Sequence, residues 1–264
     1  IRLSLVGSEM CIRDSTSVAE LAPGQFEINL HHVNDPLLAC DHALNLKQVV
    51  KGTLRNHGMK ATFMAKPFAS LPGSGMHLHL SLYDNQGENL LAPKNSKKLN
   101  QAVSGILNLM PESMIFCAPH ANSYHRFEEN SYAPINATWG KDNRTTALRI
   151  PSGNEDSTRI EHRLSGADAN PYLVMAMLIS GFLHGFEEDP EIHPETVGNG
   201  YEDGSRPLPQ SWEAALDLFQ KKSRLSSILD QEFSTLYTQL KFGEQKRFRR
   251  VITPHEYDWY LHTV

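Results

Sequence analysis

Alternating apolar and polar residues mark the strand candidates of this chain. From Met76 to Tyr83, methionine and three leucines occupy every second position, and His77, His79, Ser81 and Tyr83 lie between them. A period of two is typical of a half-buried strand, so the two histidines point the same way. The same pattern predicts strands at 26–30, 61–68, 148–150 and 160–164.

Capping residues and the helical period predict the helices. Asp35-Pro36 and Asn170-Pro171 each place an N-cap side chain before a proline at the first helical position. The first helix is expected to end near Gly58, and the second is apolar enough to be buried. Further helices are predicted at 100–109, 211–221 and 226–241, and after a capping box at 253–256.

Length and composition describe an ordinary globular protein. The chain has 264 residues, 40% hydrophobic and 21% charged, which excludes a disordered chain. A net charge of -5 leaves no basic excess for a phosphate backbone, so no nucleic-acid partner is predicted. The apolar stretch 172–183 is shorter than the about 20 residues that cross a bilayer, so no membrane partner is predicted. Three scattered cysteines favour a reducing, cytoplasmic location.

The first 15 residues, IRLSLVGSEMCIRDS, fit neither a signal peptide nor any later pattern. They resemble translated sequencing-adapter segments, so we predict that residues 1–15 are a non-native leader, with a native irregular leader as the alternative. No repeat or long linker divides residues 16–264. A single domain is therefore expected there.

Charged residues at two places could form a site. Glu20 and Glu27 flank a Pro-Gly turn that can bring both carboxylates together, where like charges call for a cation. Glu161 alternates with arginines on an otherwise apolar strand. The arginines nearby in sequence are Arg126, Arg144, Arg149, Arg159 and Arg163. Carboxylates for a hard divalent ion and guanidiniums for phosphate oxygens suit phosphoryl transfer, although solvated surface glutamates and structural histidines remain the plainer interpretation.

Seven segments together resemble the glutamine synthetase family. They are ELAPGQFE, KATFMAKPF, GSGMHLHLSL, NSYHRF, NRTTALRIP, RIEHR and ANPYL, in order across residues 16–264. The resemblance implies an α+β catalytic domain of the glutamine synthetase type, in which helices pack on a curved antiparallel sheet. It also implies a small N-terminal β-grasp domain and an E-x-E pair of metal carboxylates, both of which would lie upstream of residue 16.

The resemblance assigns metal ligands residue by residue. Glu20 and Glu27 match the carboxylates that hold a first divalent ion, and His77 with Glu161 match ligands of a second. Two ions per site, Mg²⁺ or Mn²⁺, are therefore expected together with ATP. Because the E-x-E pair would lie upstream, this fragment alone is expected to be inactive.

The resemblance also assigns substrate contacts. His79 and Ser81 match nucleotide-side residues, and Gly73 matches a loop glycine beside the substrate glutamate. The arginines matched to the carboxylates of glutamate are Arg126 and Arg163. Those matched to the surroundings of the transferring phosphate are Arg144, Arg149 and Arg159, and the residues expected to be catalytic are Arg144, Arg149 and Arg163.

The implied reaction joins glutamate to an amine through a γ-glutamyl phosphate. Ammonia-using members carry a glutamate where Tyr132 stands and an asparagine where Pro72 stands, although Glu128 and Glu129 are close enough to substitute. The chain therefore looks more like the γ-glutamyl-polyamine synthetase branch, with putrescine as the leading acceptor.

Three other functions stay open. They are an ammonia-using glutamine synthetase, an inactive member with a binding role, and a metal-dependent hydrolase that uses His77 and His79. Survival of Glu20, Glu27 and Glu161 argues against the inactive member, because clustered carboxylates cost stability without a metal. For the full-length protein the resemblance implies a large ring-shaped homo-oligomer with active sites between subunits.

Overall fold

The computed structural model describes residues 2–5, 15–221 and 224–264. The strands in these residues are β1 Arg2–Leu5, β2 Ser15–Ala19, β3 Phe26–Leu30, β4 Leu78–Tyr83, β5 Trp139–Lys141, β6 Leu148–Ile150 and β7 Ile160–His162. The helices are α1 Pro36–Asn56, α2 Ser96–Cys117, α3 Ala121–Tyr124, α4 Pro171–Glu188, α5 Trp212–Gln220, α6 Arg224–Ile228, α7 Gln231–Phe248 and α8 Pro254–Tyr260. Strands and helices are mixed along the chain, which confirms the α+β class. Within the described residues no helix is long and apolar enough to cross a membrane.

The central sheet has five strands in the order β1-β4-β7-β6-β5, and β2 and β3 form a separate hairpin. Three of the four pairings in the central sheet are antiparallel, as predicted, whereas β5 and β6 run parallel. The register of β7 places Glu161 opposite His79 of β4 on one side and Arg149 of β6 on the other. The sheet therefore aligns three predicted site residues in one row.

The hydrophobic core lies between the sheet and helices α2 and α4. Leu78, Leu80 and Leu82 of β4 are buried, as their alternation predicts. Helices α2 and α4 meet backbone to backbone, because a Cβ on Gly105 would overlap the carbonyl oxygen of Gly181 and lie 2.5 Å from the amide nitrogen of Gly185. Glycine is required at this crossing since no side chain is available to move away.

The predicted helix starts are confirmed by their capping bonds. Asp35 Oδ1 accepts hydrogen bonds from the amides of Leu37 at 2.8 Å and Leu38 at 3.1 Å. Asn170 Oδ1 accepts from the amide of Tyr172 at 2.9 Å. The capping box at residues 253–256 opens α8 as expected. Each cap satisfies amide groups that a helix start leaves without partners.

Several predicted elements differ in the structure. Residues 61–68 form no strand, because the loops around them take their backbone groups: Asn122 accepts from the amide of Lys66 and donates to its carbonyl oxygen, and the carbonyl of Ala65 accepts from Ser74. Phe26 is 67% exposed, so the apolar face predicted for β3 is not fully buried.

Helix boundaries also move. The helix predicted at 100–109 extends through 96–117 and contains Pro111, and the one predicted at 226–241 divides into α6 and α7 where the Asp230 side chain caps the amide of Phe233. Part of the predicted leader, β1, pairs with β4. Residues 1, 6–14 and 222–223 lie outside the described residues.

Candidate active site

Glu161 is the centre of a charged cluster on β7. Its side chain is buried, with residue exposure of only 3%, in a strand whose other face packs into the core. Glu161 Oε2 accepts a hydrogen bond from Arg149 Nη1 at 2.9 Å, and Oε1 pairs with the guanidinium of Arg163. His77 Nδ1 lies 3.4 Å from the same Oε1. Strands β4, β6 and β7 thus bring together side chains that are up to 86 positions apart in the chain.

Glu161 is ionised at neutral pH. Burial raises the pKa of its carboxyl. Arg163, His79 and Arg149 together lower this pKa by more than burial raises it, so the net direction is downward. A buried carboxylate without these partners would instead be protonated more readily. The cluster therefore keeps a fixed negative charge inside a ring of cations.

His79 of β4 and His77, which directly precedes that strand, are neutral bases in this setting. Burial lowers the pKa of His79 to about 4; Glu161 opposes this shift and Arg159 adds to it. Burial, followed by the charges of Arg163 and Arg126, lowers the pKa of His77 well below its ordinary value. His79 Nδ1 accepts a hydrogen bond from Arg159 Nε at 3.2 Å, so its proton is on Nε2. Neutral imidazole is the form that ligates metals or accepts hydrogen bonds.

Glu20 and Glu27 meet at the hairpin of β2 and β3, as the turn between them predicts. A hydrogen bond between the two side chains is the largest cause that raises the pKa of Glu27, followed by burial, and the charge of Glu161 acts in the same direction. Two neighbouring carboxylates suit a hard cation between them. Within the described residues, however, no three acidic, histidine or cysteine side chains converge as a complete ligand set.

The hairpin is tied to the loop that carries Gly73. Gln25, in the turn between Glu20 and Glu27, donates from Nε2 to the carbonyl oxygen of Gly73 at 3.0 Å and to Ser74 Oγ at 3.3 Å. A Cβ on Gly73 would lie 2.8 Å from both the carbonyl oxygen of Ala65 and Cγ of Arg126. This loop therefore requires glycine, because backbone and arginine stem already fill the space.

Arg126 is buried beneath this loop. It donates from Nη1 to the carbonyl of Leu164 at 2.7 Å and from Nη2 to the carbonyl of Arg163 at 3.1 Å. Arg126 and Arg163 are each only 5% exposed. Arg126 thus contacts both the Gly73 loop and the backbone of Arg163.

Two predicted site residues are not joined to the cluster by any contact. Ser81 is 1% exposed, and its hydroxyl donates to the carbonyl of Thr158 at 3.3 Å. Arg144 is exposed and makes no hydrogen bond or ion pair with the described residues. Their roles stay predictions.

The sequence analysis assigned no role to two polar residues that contact the site. They are Gln25 and Asp142. Asp142 Oδ1 accepts from Arg149 Nη2 at 3.0 Å. Gln25 lies inside the segment ELAPGQFE, whereas Asp142 directly precedes the segment NRTTALRIP and carries no periodic signal.

Tyr132, which stands where the resemblance predicts a carboxylate in ammonia-using members, is half exposed. Its exposure is 50% and its φ is +58°, in the left-handed region. Glu128, a predicted substitute for that carboxylate, pairs with Lys66 at 3.2 Å. Glu128 is therefore already engaged in an ion pair.

Known proteins are similar to this chain in both sequence and fold. Residues 2–260 match the family described as glutamine synthetase, catalytic domain. The chain is 45% identical over 248 residues to γ-glutamylputrescine synthetase of Escherichia coli, covering 93% of this chain and 52% of the relative. It is 36% identical over 254 residues to glutamate–isopropylamine ligase of a Pseudomonas species, covering 93% of this chain and 55% of that protein.

A solved structure titled as a GmaS complex with ADP superposes with a TM-score of 0.84 at 29% identity, covering 94% of this chain and 60% of that one. The chain thus spans between half and two thirds of the length of these proteins. The match to the family extends over nearly all of the described strands and helices. This chain belongs to the glutamine synthetase catalytic-domain family.

Proposed function

We propose that the protein containing this chain is an ATP-dependent ligase that joins the γ-carboxylate of glutamate to an amine. The observation that carries the proposal is the row of His79, Glu161 and Arg149 across three strands, flanked on β7 by Arg159 and Arg163. A buried carboxylate ringed by guanidiniums suits the charge that develops when a phosphoryl group is transferred.

In the first step the γ-carboxylate oxygen of glutamate attacks the γ-phosphorus of ATP. The bond from that phosphorus to the bridging oxygen breaks, giving γ-glutamyl phosphate and ADP. In this proposal Arg149 and Arg159 stabilise charge on the phosphoryl oxygens, and His79 and Ser81 lie on the nucleotide side. Arg144 is exposed and without a partner in the described chain, so it is free to turn toward phosphate.

Glutamate is positioned by the loop at Gly73 and by Arg126 and Arg163. Both guanidiniums are already fixed by hydrogen bonds or ion pairs, which lowers the cost of ordering them when the carboxylates bind. In the second step the nitrogen of the amine attacks the acyl carbon and phosphate leaves. The amine loses a proton, and the product is a γ-glutamyl amide.

The carboxylates fit divalent cations. In the proposal Glu20 and Glu27 hold one Mg²⁺ or Mn²⁺ ion, and His77 and Glu161 contribute to a second. When bound, such ions neutralise phosphate charge. Further ligands from the family's E-x-E pair would lie upstream of residue 16, and we infer that the fragment alone is inactive. A cytoplasmic homo-oligomer is part of the same proposal.

The acceptor is proposed to be an organic amine, with putrescine in first place. Tyr132 in place of a carboxylate supports this choice, as does the similarity to γ-glutamylputrescine synthetase and glutamate–isopropylamine ligase. Ammonia is the second candidate, because Glu128 is 60% exposed at its side chain and close in sequence.

The test is ADP release by the complete gene product with ATP and glutamate, with putrescine or ammonium as acceptor. We expect turnover with putrescine to exceed that with ammonium, and mass spectrometry to detect γ-glutamylputrescine. Preference for ammonium would refute the polyamine acceptor. Absence of ADP release with either acceptor would refute the ligase itself in favour of a binding role.

A further inference from the structure

Asp142 is an acidic residue of the site that lies just outside the family-like segment beginning at Asn143. It directly follows β5, and its Oδ1 accepts hydrogen bonds from the amide of Ser152 at 2.9 Å and from Arg149 Nη2 at 3.0 Å. Its own amide donates to the carbonyl of Ile150 at 3.1 Å, and its φ is +47°. Asp142 is thus fastened to Arg149 itself and to two residues that follow it, Ile150 and Ser152.

The guanidinium of Arg149 is held at both terminal nitrogens. Nη1 donates to Glu161 Oε2 at 2.9 Å while Nη2 donates to Asp142. Glu161 is shared with Arg163, whereas among the described residues Asp142 forms an ion pair with Arg149 alone. Two-point anchoring means that the rotamer entropy of this flexible arginine is lost on folding rather than on binding.

We propose that Asp142 is a positioning residue that holds the guanidinium of Arg149 in place for the transferring phosphate. The inference rests on the proposed function, in which Arg149 contacts that phosphate. Without Asp142 the guanidinium would be held by Glu161 only, and could swing toward the solvent that reaches 19% of its side chain. Although the Asp142 side chain is 46% exposed, its bond to Arg149 is charge-assisted and about twice as strong as a bond to a neutral oxygen, so the charge is what holds the guanidinium.

The test is the variant Asp142→Asn in the complete protein. Asparagine retains an oxygen for the Ser152 amide and tolerates positive φ, so a merely local structural role survives while the ion pair to Arg149 is lost. We expect kcat to fall about tenfold or more, since small misplacements of catalytic groups cost up to about 100-fold, while KM for glutamate changes less than about twofold.

A second readout needs no turnover. Phenylglyoxal modification followed by mass spectrometry measures how accessible Arg149 is, and Asp142→Asn should raise its rate several-fold. The matched control is Asp84→Asn. Asp84 likewise accepts from backbone amides, those of Gln86 and Glu88 at 2.9 Å, but pairs with no arginine among the described residues. It should change neither readout.

An unchanged modification rate at Arg149 would overturn the inference whether or not the protein ligates an amine. An unchanged kcat in an active protein would overturn it as well. Combining Asp142→Asn with Arg149→Lys tests whether Asp142 acts through Arg149. If it does, the losses of kcat from the two substitutions should not add. Fully additive losses would contradict the positioning role. If the wild-type protein is itself inactive, that result counts against the proposed function alone.

Discussion

The crossing of α2 and α4 provides a sharp test of the packing. In Gly105→Ala the new methyl group would overlap the carbonyl of Gly181 and lie 2.5 Å from the Gly185 nitrogen, against an ordinary separation of about 3.4 Å or more. Since only backbone is in the way, the helices must separate by about 1 Å. A gap of that size forfeits a quarter to a half of the contact energy of a large buried side chain, or roughly 2–4 kcal/mol.

Alanine recovers about 1 kcal/mol of helix propensity, so the net loss of unfolding free energy should be about 1–3 kcal/mol, within the range of overpacked cores. Urea denaturation of the complete protein, followed by circular dichroism, measures it. The control is Gly52→Ala in α1, where a Cβ would meet nothing within 4 Å. That variant should gain up to about 1 kcal/mol. If both substitutions raised, or both lowered, the free energy of unfolding, the result would contradict the close backbone contact between α2 and α4.

Three further predictions concern charge and specificity. Glu161→Gln leaves the buried Arg163 without a charged partner and Arg149 with Asp142 alone, so it should cost about 3–5 kcal/mol of stability and lower ligation by orders of magnitude. Glu188→Gln, exposed at the end of α4, should alter neither denaturation nor turnover. Tyr132→Glu should raise kcat/KM for ammonium relative to putrescine, and an unaltered ratio would remove Tyr132 from acceptor choice. Burial and then a neighbouring arginine lower the pKa of His193, so its contribution to stability is complete above the unfolded pKa of about 6.5 and declines as pH falls below it. The difference in unfolding free energy between wild type and His193→Gln should therefore shrink from pH 7.5 to 5.5, and a constant difference would contradict that shift.

Local signals along the chain determined much of this fold. The alternation in 76–83 set which face of β4 carries His77 and His79, because successive side chains of a strand point to opposite faces whatever the partner strand is. Asp35 and Asn170 set the starts of α1 and α4, since an N-cap acts on amides only two or three residues away. The family-like segments gave the class of the domain, which the fold and the comparisons confirm.

Elements whose partners are distant in the sequence could not be predicted from local sequence patterns. Residues 61–68 alternate like a strand, but the backbone groups of Ala65 and Lys66 bond to Ser74 and Asn122, and none of the described strands pairs with them. Helix α2 continues past Leu109 and through Pro111, because burial of the following turns in the core outweighs the amide that proline lacks.

Within the candidate site, the sequence identified the charged residues but not their pairing. That Glu161 would be shared by Arg149 and Arg163, and that Asp142 would hold the other side of Arg149, follows from the register of β4, β6 and β7. Register depends on how the whole sheet buries its apolar face, and so do the desolvation and charge that keep His79 neutral and Glu161 ionised. The sequence alone thus identified the charged residues of the site. Their protonation states and their partners depend on distances that only tertiary packing sets.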